Sequence, residues 1–240
     1  MAFPELSIVF PFYNEEKNIP HVVPKIIGKF EETGLNYELV LVDNGSWDQT
    51  ANLLEQLSQK NPRLKIVTVK VNQGYGWGII CGLQEAAGQH VGYMCSDGQI
   101  TPDDVCRVYR LIQEGKCDLA KVNRVSRHDG RFRKIQSVVY NYIFSNIFKI
   151  KSLDINGTPK IFAQKYLPDF ALISQDWFLD AELMIKAQFM GLKVGEVDVD
   201  FLPRAVGKSN VKWTTVWEFL KNMYCYLWGG ELKQWKKSRS

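Results

Sequence analysis

Four short apolar segments, each followed by a helical pattern, constrain the fold of this chain more than any other feature. The segments are LSIVF, YELVLVD, LKIVTVKV and HVGYMC. The helix pattern after the fourth, TPDDVCRVYRLIQEG, begins with Thr101 as its predicted N-cap and Pro102 in its first turn. Nearly continuous apolar strands separated by helices predict an α/β fold, with a mostly parallel sheet that is flanked by helices on both faces.

Length, charge and cysteine usage argue against a disulfide-rich, zinc-binding or membrane-spanning protein and do not require a nucleic-acid partner. The 240 residues fit one large α/β domain, and the net charge of +4 permits an anionic ligand without requiring a nucleic-acid partner. The five cysteines form no CxxC pair, which indicates free thiols in a reducing compartment and no zinc or disulfide framework. No signal peptide and no apolar run of about 18 residues is present, so we expect a cytoplasmic protein that does not span a membrane.

Polar or glycine-rich turns follow all four predicted strands. In chain order they read PFYNEE, DNGSWDQT, NQGYGWG and CSDGQ. Ligands of an open parallel sheet bind at the carboxyl ends of its strands, so these turns predict a single site at one edge. Each turn alone has a plainer interpretation as ordinary turn and N-cap chemistry. The glycines follow the third strand with GxGxG spacing, which does not favour a dinucleotide-binding dehydrogenase.

In order and spacing, IVFPFYNEEKNI, LVLVDNGSWDQT, NQGYGWGIICGLQEAAG and MCSDGQITPDD resemble the nucleotide-sugar half of family 2 glycosyltransferases. The branch that they resemble contains dolichyl-phosphate mannose synthase and bacterial polyprenyl-phosphate sugar transferases. Sparser matches continue through NRVSRHDGRFRKIQS, LDINGTPKIF, DWFLDAEL and FLPRAVGKSN. The resemblance implies a GT-A fold over residues 1–210, with a nucleotide-sugar half (1–115) and an acceptor half (116–210). An aromatic helix and basic tail follow at 211–240.

The resemblance implies an enzyme that moves a sugar from a nucleotide sugar to a polyprenyl phosphate, with loss of nucleoside diphosphate. One alternative is transfer to a sugar hydroxyl in polysaccharide, glycolipid or glycoprotein synthesis, and another is a non-catalytic subunit that binds nucleotide sugar. A phosphate monoester has a second pKa of about 6, so its oxygens need no general base near neutral pH. A hydroxyl acceptor does need one, and the segment SQDWFLDAEL offers Asp176, Asp180 and Glu182.

The resemblance also assigns residues to the site. The nucleotide-sugar ligands that it implies are Pro11, Tyr13, Glu15, Asp43, Ser46, Cys95, Ser96, Asp97, Arg204 and Lys208. The residues implied for the acceptor phosphate are Arg124, Arg133 and Ser137, and the catalytic acids are Asp97, Asp180 and Glu182. Guanidinium groups bind phosphate bidentately, and carboxylates accept hydrogen bonds from ribose or base. The plainer interpretation is a solvated basic loop over residues 123–134 and acids that merely begin a helix.

The metal motif of the family is altered in this chain. The Asp-x-Asp triplet reads Cys95-Ser96-Asp97, and the glutamine that often follows is present as Gln99. Mg²⁺ and Mn²⁺ prefer oxygen ligands, so a cysteine is a poor substitute for the first aspartate. The resemblance therefore implies a weakened Mg²⁺ or Mn²⁺ site, with Asp97 and Gln99 as ligands.

Two aromatic segments predict contact with a membrane surface. The first is VVYNYIFSNIFKI at residues 138–150. The second is a helix with Trp213, Trp217, Tyr224 and Trp228 on one stripe, followed by the basic residues Lys233, Lys236, Lys237 and Arg239. Tryptophan and tyrosine favour the bilayer interface, and basic residues favour anionic lipid, so we expect a peripheral protein on the cytoplasmic face of a membrane. Alternatively, these helices cover the sheet or form a contact in a homo-oligomer.

Overall fold

The structure is a computed structural model that describes residues 3–127, 144–152, 154–204 and 214–239, without the side chains of residues 127 and 214–220. Seven strands form one sheet. They are β1 (Leu6–Phe12), β2 (Tyr37–Asn44), β3 (Leu64–Val69), β4 (His90–Tyr93), β5 (Leu119–Arg127), β6 (Lys160–Ala163) and β7 (Val194–Phe201).

The strand order is β3-β2-β1-β4-β6-β5-β7, and β6 is the strand that runs antiparallel to its neighbours. All other neighbouring strands pair in parallel. The predicted α/β fold with a mostly parallel sheet is therefore confirmed.

Helices connect the strands and cover both faces of the sheet. They are α1 (Ile19–Glu32), α2 (Thr50–Ser58), α3 (Tyr75–Glu85), α4 (Pro102–Gln113), α5 (Leu167–Phe170), α6 (Leu179–Phe189), α7 (Thr214–Trp228) and α8 (Glu231–Lys237). The predicted start of α4 is confirmed, because the Thr101 hydroxyl accepts a hydrogen bond from the backbone N–H of Asp104 and the Asp104 carboxylate accepts one from the N–H of Thr101.

The segment predicted as a basic loop, residues 123–134, is partly a strand. β5 continues to Arg127 and pairs in parallel with β7, with Arg124 opposite Val199 and Arg127 opposite Phe201. The prediction was wrong here because the basic side chains concealed a strand whose partner lies far along the chain.

Two apolar cores lie on the two faces of the sheet. Successive residues of β1 alternate between them, because neighbouring side chains of a strand point to opposite faces. Val9 packs in the core formed with α3 and α6, whereas Ile8 and Phe10 pack in the core formed with α1 and α4.

The C-terminal helices extend the first of these cores. Met223, Tyr226, Leu232 and Trp235 are buried in it, and the Trp235 indole N–H donates to the carbonyl oxygen of Asp169 at 2.9 Å. The segment that the sequence marks as an aromatic and basic tail therefore packs against the body of the molecule.

Because α3 packs closely on the sheet, we expect that adding one methyl group at Gly82 destabilises the protein. A Cβ atom at Gly82 would lie 2.3 Å from Cγ1 of Val9 and 2.8 Å from Cγ2 of Val42. We expect Gly82→Ala to lower the free energy of unfolding by about 1–3 kcal/mol, as overpacked cores do. Urea unfolding measures the change.

Gly28→Ala is the matched control, because Gly28 lies in α1 with no heavy atom within 4 Å of an added Cβ. We expect this variant to gain about 1 kcal/mol from helix propensity. Equal changes in the two variants would contradict the packing described for α3.

Candidate active site at the carboxyl edge of the sheet

The turns that follow β1, β2 and β4 lie together at one edge of the sheet and are joined by hydrogen bonds. The hydroxyl of Ser46 accepts the backbone N–H of Asn14 at 3.1 Å, and the hydroxyl of Ser96 donates to the carbonyl oxygen of Pro11 at 2.8 Å. Three strands that are neighbours in the sheet thus deliver their polar turns to one place, as their sequence order predicts.

Three residues predicted for the nucleoside share this edge. Asp43 is buried, and one of its carboxylate oxygens accepts the backbone N–H of Ser46 at 3.0 Å. Tyr13 exposes 39% of its surface, which leaves part of its ring accessible. Burial raises the pKa of Glu15, whose carboxylate accepts a hydrogen bond from the Asn18 amide and lies within electrostatic range of Arg204 and Asp97.

Arg204 joins the two predicted metal ligands. Its Nη2 atom lies 3.1 Å from Oδ2 of Asp97, and its Nε–H donates to Oε1 of Gln99 at 3.0 Å. The Gln99 amide nitrogen donates in turn to the carbonyl oxygen of Leu202 at 2.7 Å, which directs Oε1 toward the guanidinium. One cation, supplied by the chain itself, therefore contacts both side chains.

Cys95 occupies the position of the missing aspartate and is a poor ligand for a hard cation. Its sulfur lies 3.6 Å from the Tyr75 hydroxyl and 3.7 Å from the Thr158 hydroxyl. Burial raises the pKa of the thiol to about 11, so it is neutral near pH 7, whereas metal binding uses the thiolate.

The remaining side chains do not fit a resident divalent ion. Among the described residues, no group of three or more His, Cys, Asp or Glu side chains is placed to hold a metal. What remains at the motif is one carboxylate and one amide oxygen, both in contact with Arg204.

Arg124, predicted for the acceptor phosphate, is held by a buried carboxylate. Its Nε and Nη2 atoms donate to the two carboxylate oxygens of Asp154 at 2.6 and 2.7 Å, and its guanidinium lies 5.0 Å from the ring centre of Phe201. The other predicted phosphate ligands, Arg133, Ser137 and Lys208, lie outside the described residues.

The two acids predicted for catalysis on α6 are also held by partners. Asp180 accepts a hydrogen bond from the Tyr93 hydroxyl at 2.8 Å and forms an ion pair with Lys160, whose pKa burial lowers to about 8. Glu182 is fully buried, forms an ion pair with Lys186, and accepts the backbone N–H groups of Ile173 and Ser174. These surroundings do not support the prediction that Asp180 or Glu182 is the catalytic base.

Comparison with known proteins decides the family. The sequence profile of the family described as Glycosyl transferase family 2 matches residues 7–178. This chain belongs to glycosyltransferase family 2.

Two curated relatives are transferases named for undecaprenyl phosphate and a formamido-arabinose sugar. The undecaprenyl-phosphate 4-deoxy-4-formamido-L-arabinose transferase of Pectobacterium carotovorum is 33% identical over 138 residues, which is 57% of this chain and 42% of the relative. The transferase of the same name from Proteus mirabilis is 32% identical over 139 residues, again 57% and 42% of the two chains. The chain thus spans less than half the length of these relatives.

Solved structures establish the GT-A fold. Glucosyl-3-phosphoglycerate synthase from Mycobacterium tuberculosis, in complex with Mn²⁺, UDP and phosphoglyceric acid, matches with a TM-score of 0.70 at 17% identity over 93% of this chain and 77% of that chain. A mannosyltransferase from Pyrobaculum calidifontis, in complex with GDP-Man and Mn²⁺, gives a TM-score of 0.63 at 18% identity over 87% and 59%. Both neighbours were crystallised with a divalent metal and a nucleotide.

Sequence reasoning missed the contact between the glycine-rich turn after β3 and the loop that precedes α6. A Cβ atom at Gly74 would lie 2.4 Å from the carbonyl oxygen of Gln175, and one at Gly76 would lie 2.3 Å from that of Ser174. The ring of Tyr75 stacks on that of Trp177 with centres 4.2 Å apart. The glycine-rich turn therefore lets the loop that precedes α6 approach α3, and the alternating glycines were the available signal.

Glu182 holds this loop, which predicts a stability defect when its charge is removed. In Glu182→Gln the ammonium of Lys186 stays buried without its carboxylate, which costs about 3–5 kcal/mol when one partner of a buried pair is removed. We expect a matching loss in the free energy of unfolding, measured in urea. Glu55→Gln, on the exposed surface of α2, is the control and changes stability by less than about 0.5 kcal/mol. A stable Glu182→Gln variant that loses turnover alone would contradict the anchoring role.

Proposed function

We propose that this glycosyltransferase moves a sugar from a nucleotide sugar to a polyprenyl phosphate and releases the nucleoside diphosphate. Family membership and the names of the curated relatives support this acceptor class. The observation that carries the choice is that all three acids predicted as a general base already have partners within the fold.

The surroundings of these acids favour an acceptor that needs no base. Asp176, the third candidate, accepts the backbone N–H of Phe178 at 2.8 Å and a hydrogen bond from the side-chain amide of Asn222. Asp180 and Glu182 are buried in ion pairs. A hydroxyl acceptor would need one of them to accept its proton, whereas a phosphate monoester is already ionised near pH 7.

The proposed reaction is a direct displacement. A non-bridging oxygen of the acceptor phosphate attacks the anomeric carbon of the donor sugar and forms the new C–O bond. The bond from that carbon to the donor diphosphate breaks, its electron pair leaves with the nucleoside diphosphate, and no proton is transferred. Attack from the face opposite to the leaving group inverts the anomeric configuration.

The chain's residues bind and orient the donor in this scheme. Tyr13, Glu15 and Asp43 bind the nucleoside, with Ser46 holding the turn, and Arg204 faces the diphosphate. Roles for Pro11, Cys95 and Ser96 beside the donor stay predictions, as do those of Lys208 at the diphosphate and of Arg124, Arg133 and Ser137 at the acceptor phosphate. The predicted Mg²⁺ or Mn²⁺ ion finds no fitting donor set, and no step of the scheme depends on it.

A pair of lipids that differ in one phosphate tests the acceptor class. Labelled nucleotide sugars are incubated with the protein and either a polyprenyl phosphate or the matching polyprenol, and label in the organic extract is counted. We expect label to enter the extract with the phosphate and stay at background with the alcohol, because only the phosphate carries an ionised nucleophile. Transfer to the alcohol or to a soluble sugar, with none to the phosphate, would contradict the proposal.

We also propose that the outer face of α7 lies on the cytoplasmic surface of the membrane that holds the acceptor. Met223 and Tyr226 are buried, whereas Tyr224 and Trp228 expose 62% and 69% of their surface and pack together with ring centres 4.9 Å apart. Such a pair suits the bilayer interface, and the exposed Lys233 follows on α8. Trp213 and the side chain of Trp217 lie outside the described residues. Within the described part of the chain, we find no helix with the length and apolar character of a membrane span.

Vesicle co-sedimentation tests this surface. The double variant Tyr224→Ser with Trp228→Ser should lose about tenfold in affinity for vesicles that contain anionic lipid, because two interfacial aromatics are removed. Phe3→Ser is the matched control, since Phe3 is 77% exposed but lies just before β1 and not on α7. Failure of the unaltered chain to sediment with vesicles, or equal binding by the double variant, would contradict the assignment.

A further inference from the structure

We infer that this glycosyltransferase binds the donor diphosphate without a divalent cation, and that the guanidinium of Arg204 takes the place of the ion on Asp97 and Gln99. The inference rests on the proposed function and deepens it, because it assigns the group that neutralises the leaving diphosphate.

The guanidinium of Arg204 lies where the ion would bind. The two side chains that would bind the ion are the two that bind Arg204, at 3.1 Å from Oδ2 of Asp97 and 3.0 Å from Oε1 of Gln99. A cation that used these oxygens would compete with the guanidinium for both of them. A guanidinium is also a phosphate ligand in its own right, because its planar fork matches two phosphate oxygens.

Arg204 is held in this position by hydrogen bonds between Leu202 and Gln99. The backbone N–H of Leu202 donates to the carbonyl oxygen of Gln99 at 3.0 Å, and the Gln99 side-chain amide donates to the carbonyl oxygen of Leu202 at 2.7 Å. These two bonds join the chain just before Arg204 to the altered motif. The guanidinium is thus positioned before any donor binds, and preorganised charge is the effective form of electrostatic stabilisation.

The charges of the altered motif also favour Arg204 over a divalent ion. A divalent ion is attracted by carboxylates, but the first of the motif is replaced by the Cys95 thiol, and Oδ1 of Asp97 accepts the backbone N–H of Gln99 at 3.2 Å. The single charge of Asp97 is matched by the single charge of Arg204. Glu15, another acid near Arg204, accepts a hydrogen bond from Asn18. One guanidinium therefore matches the one carboxylate that the motif retains, and an ion bound by Asp97 and Gln99 would have to displace it.

Binding measurements with and without metal test the inference. Calorimetry with UDP, GDP and their sugar conjugates is run on the full chain in EDTA and again in Mn²⁺, and Mn²⁺ bound to the complex is measured by electron paramagnetic resonance. We expect dissociation constants that agree within about twofold between the two conditions and no protein-bound Mn²⁺ signal. Arg204→Met should weaken binding in EDTA by about tenfold or more, as loss of a charged phosphate contact does.

Two further variants make the test specific. Arg63→Met is the matched control. Arg63 lies just before the first residue of β3, at the amino edge of the sheet, and its carboxylate partner is Glu31. We expect this variant to leave nucleotide affinity unchanged. Cys95→Asp restores the second carboxylate and should produce a bound Mn²⁺ signal together with metal-dependent affinity.

The outcomes separate this inference from the proposed function. A gain of about tenfold or more in the affinity of the unaltered chain on adding Mn²⁺, with bound Mn²⁺ in the complex, would overturn the inference and leave the proposed transfer intact. Absence of nucleotide binding in both conditions would overturn the proposed function and this inference with it.

Discussion

The pairing of buried charges decides which side chains of this glycosyltransferase are available for chemistry. Four ion pairs lie largely or wholly inside the described part of residues 116–210: Lys121–Glu196, Arg124–Asp154, Lys160–Asp180 and Lys186–Glu182. A buried charge without a partner is costly, so each pair fixes its two members in place. Two of the three acids that the sequence offers as a base, Asp180 and Glu182, are among these members, and Glu182 holds the loop that meets the glycine-rich turn.

The same rule applies at the carboxyl edge, where the pair is formed by Arg204 and Asp97. There Asp97 is buried but Arg204 keeps 25% of its side chain exposed, so the guanidinium can act on a bound diphosphate. Because the candidate acids are already paired within the fold, we propose an acceptor phosphate that carries its own negative charge. Because one guanidinium pairs with the carboxylate of the motif, we propose that the donor binds without metal. Both proposals thus follow from how the chain distributes its charges.

The sequence predicted the elements whose signals are local. Continuous apolar runs marked β1 to β4, and Thr101 as N-cap with Pro102 in the first turn marked the start of α4. β7 was missed although its alternation of acidic and apolar residues is a strand pattern, and β5 was missed because its basic residues suggested a loop. The candidate site at the carboxyl edge was predictable because parallel strands place the turns that follow them at the same edge of the sheet.

The roles of individual charges were harder to predict, because most partners are distant in sequence. Asp180 pairs with Lys160 across 20 residues, and Arg204 reaches Gln99 across 105. The pairing of Glu182 with Lys186 could have been read directly, since residues four apart on a helix are neighbours. A match to family motifs assigns a role to each motif residue, but it does not show which of these side chains are paired with other residues in the folded chain.

The direct test of this account is the turnover of the double variant Lys160→Met with Asp180→Asn. Removing both charges avoids a lone buried ion and keeps an acceptor for the Tyr93 hydroxyl. If Asp180 is structural, the variant should transfer sugar to polyprenyl phosphate at a rate within about tenfold of the unaltered chain. A loss of about 100-fold or more with unchanged donor affinity is what removal of a general base produces, and it would contradict the account.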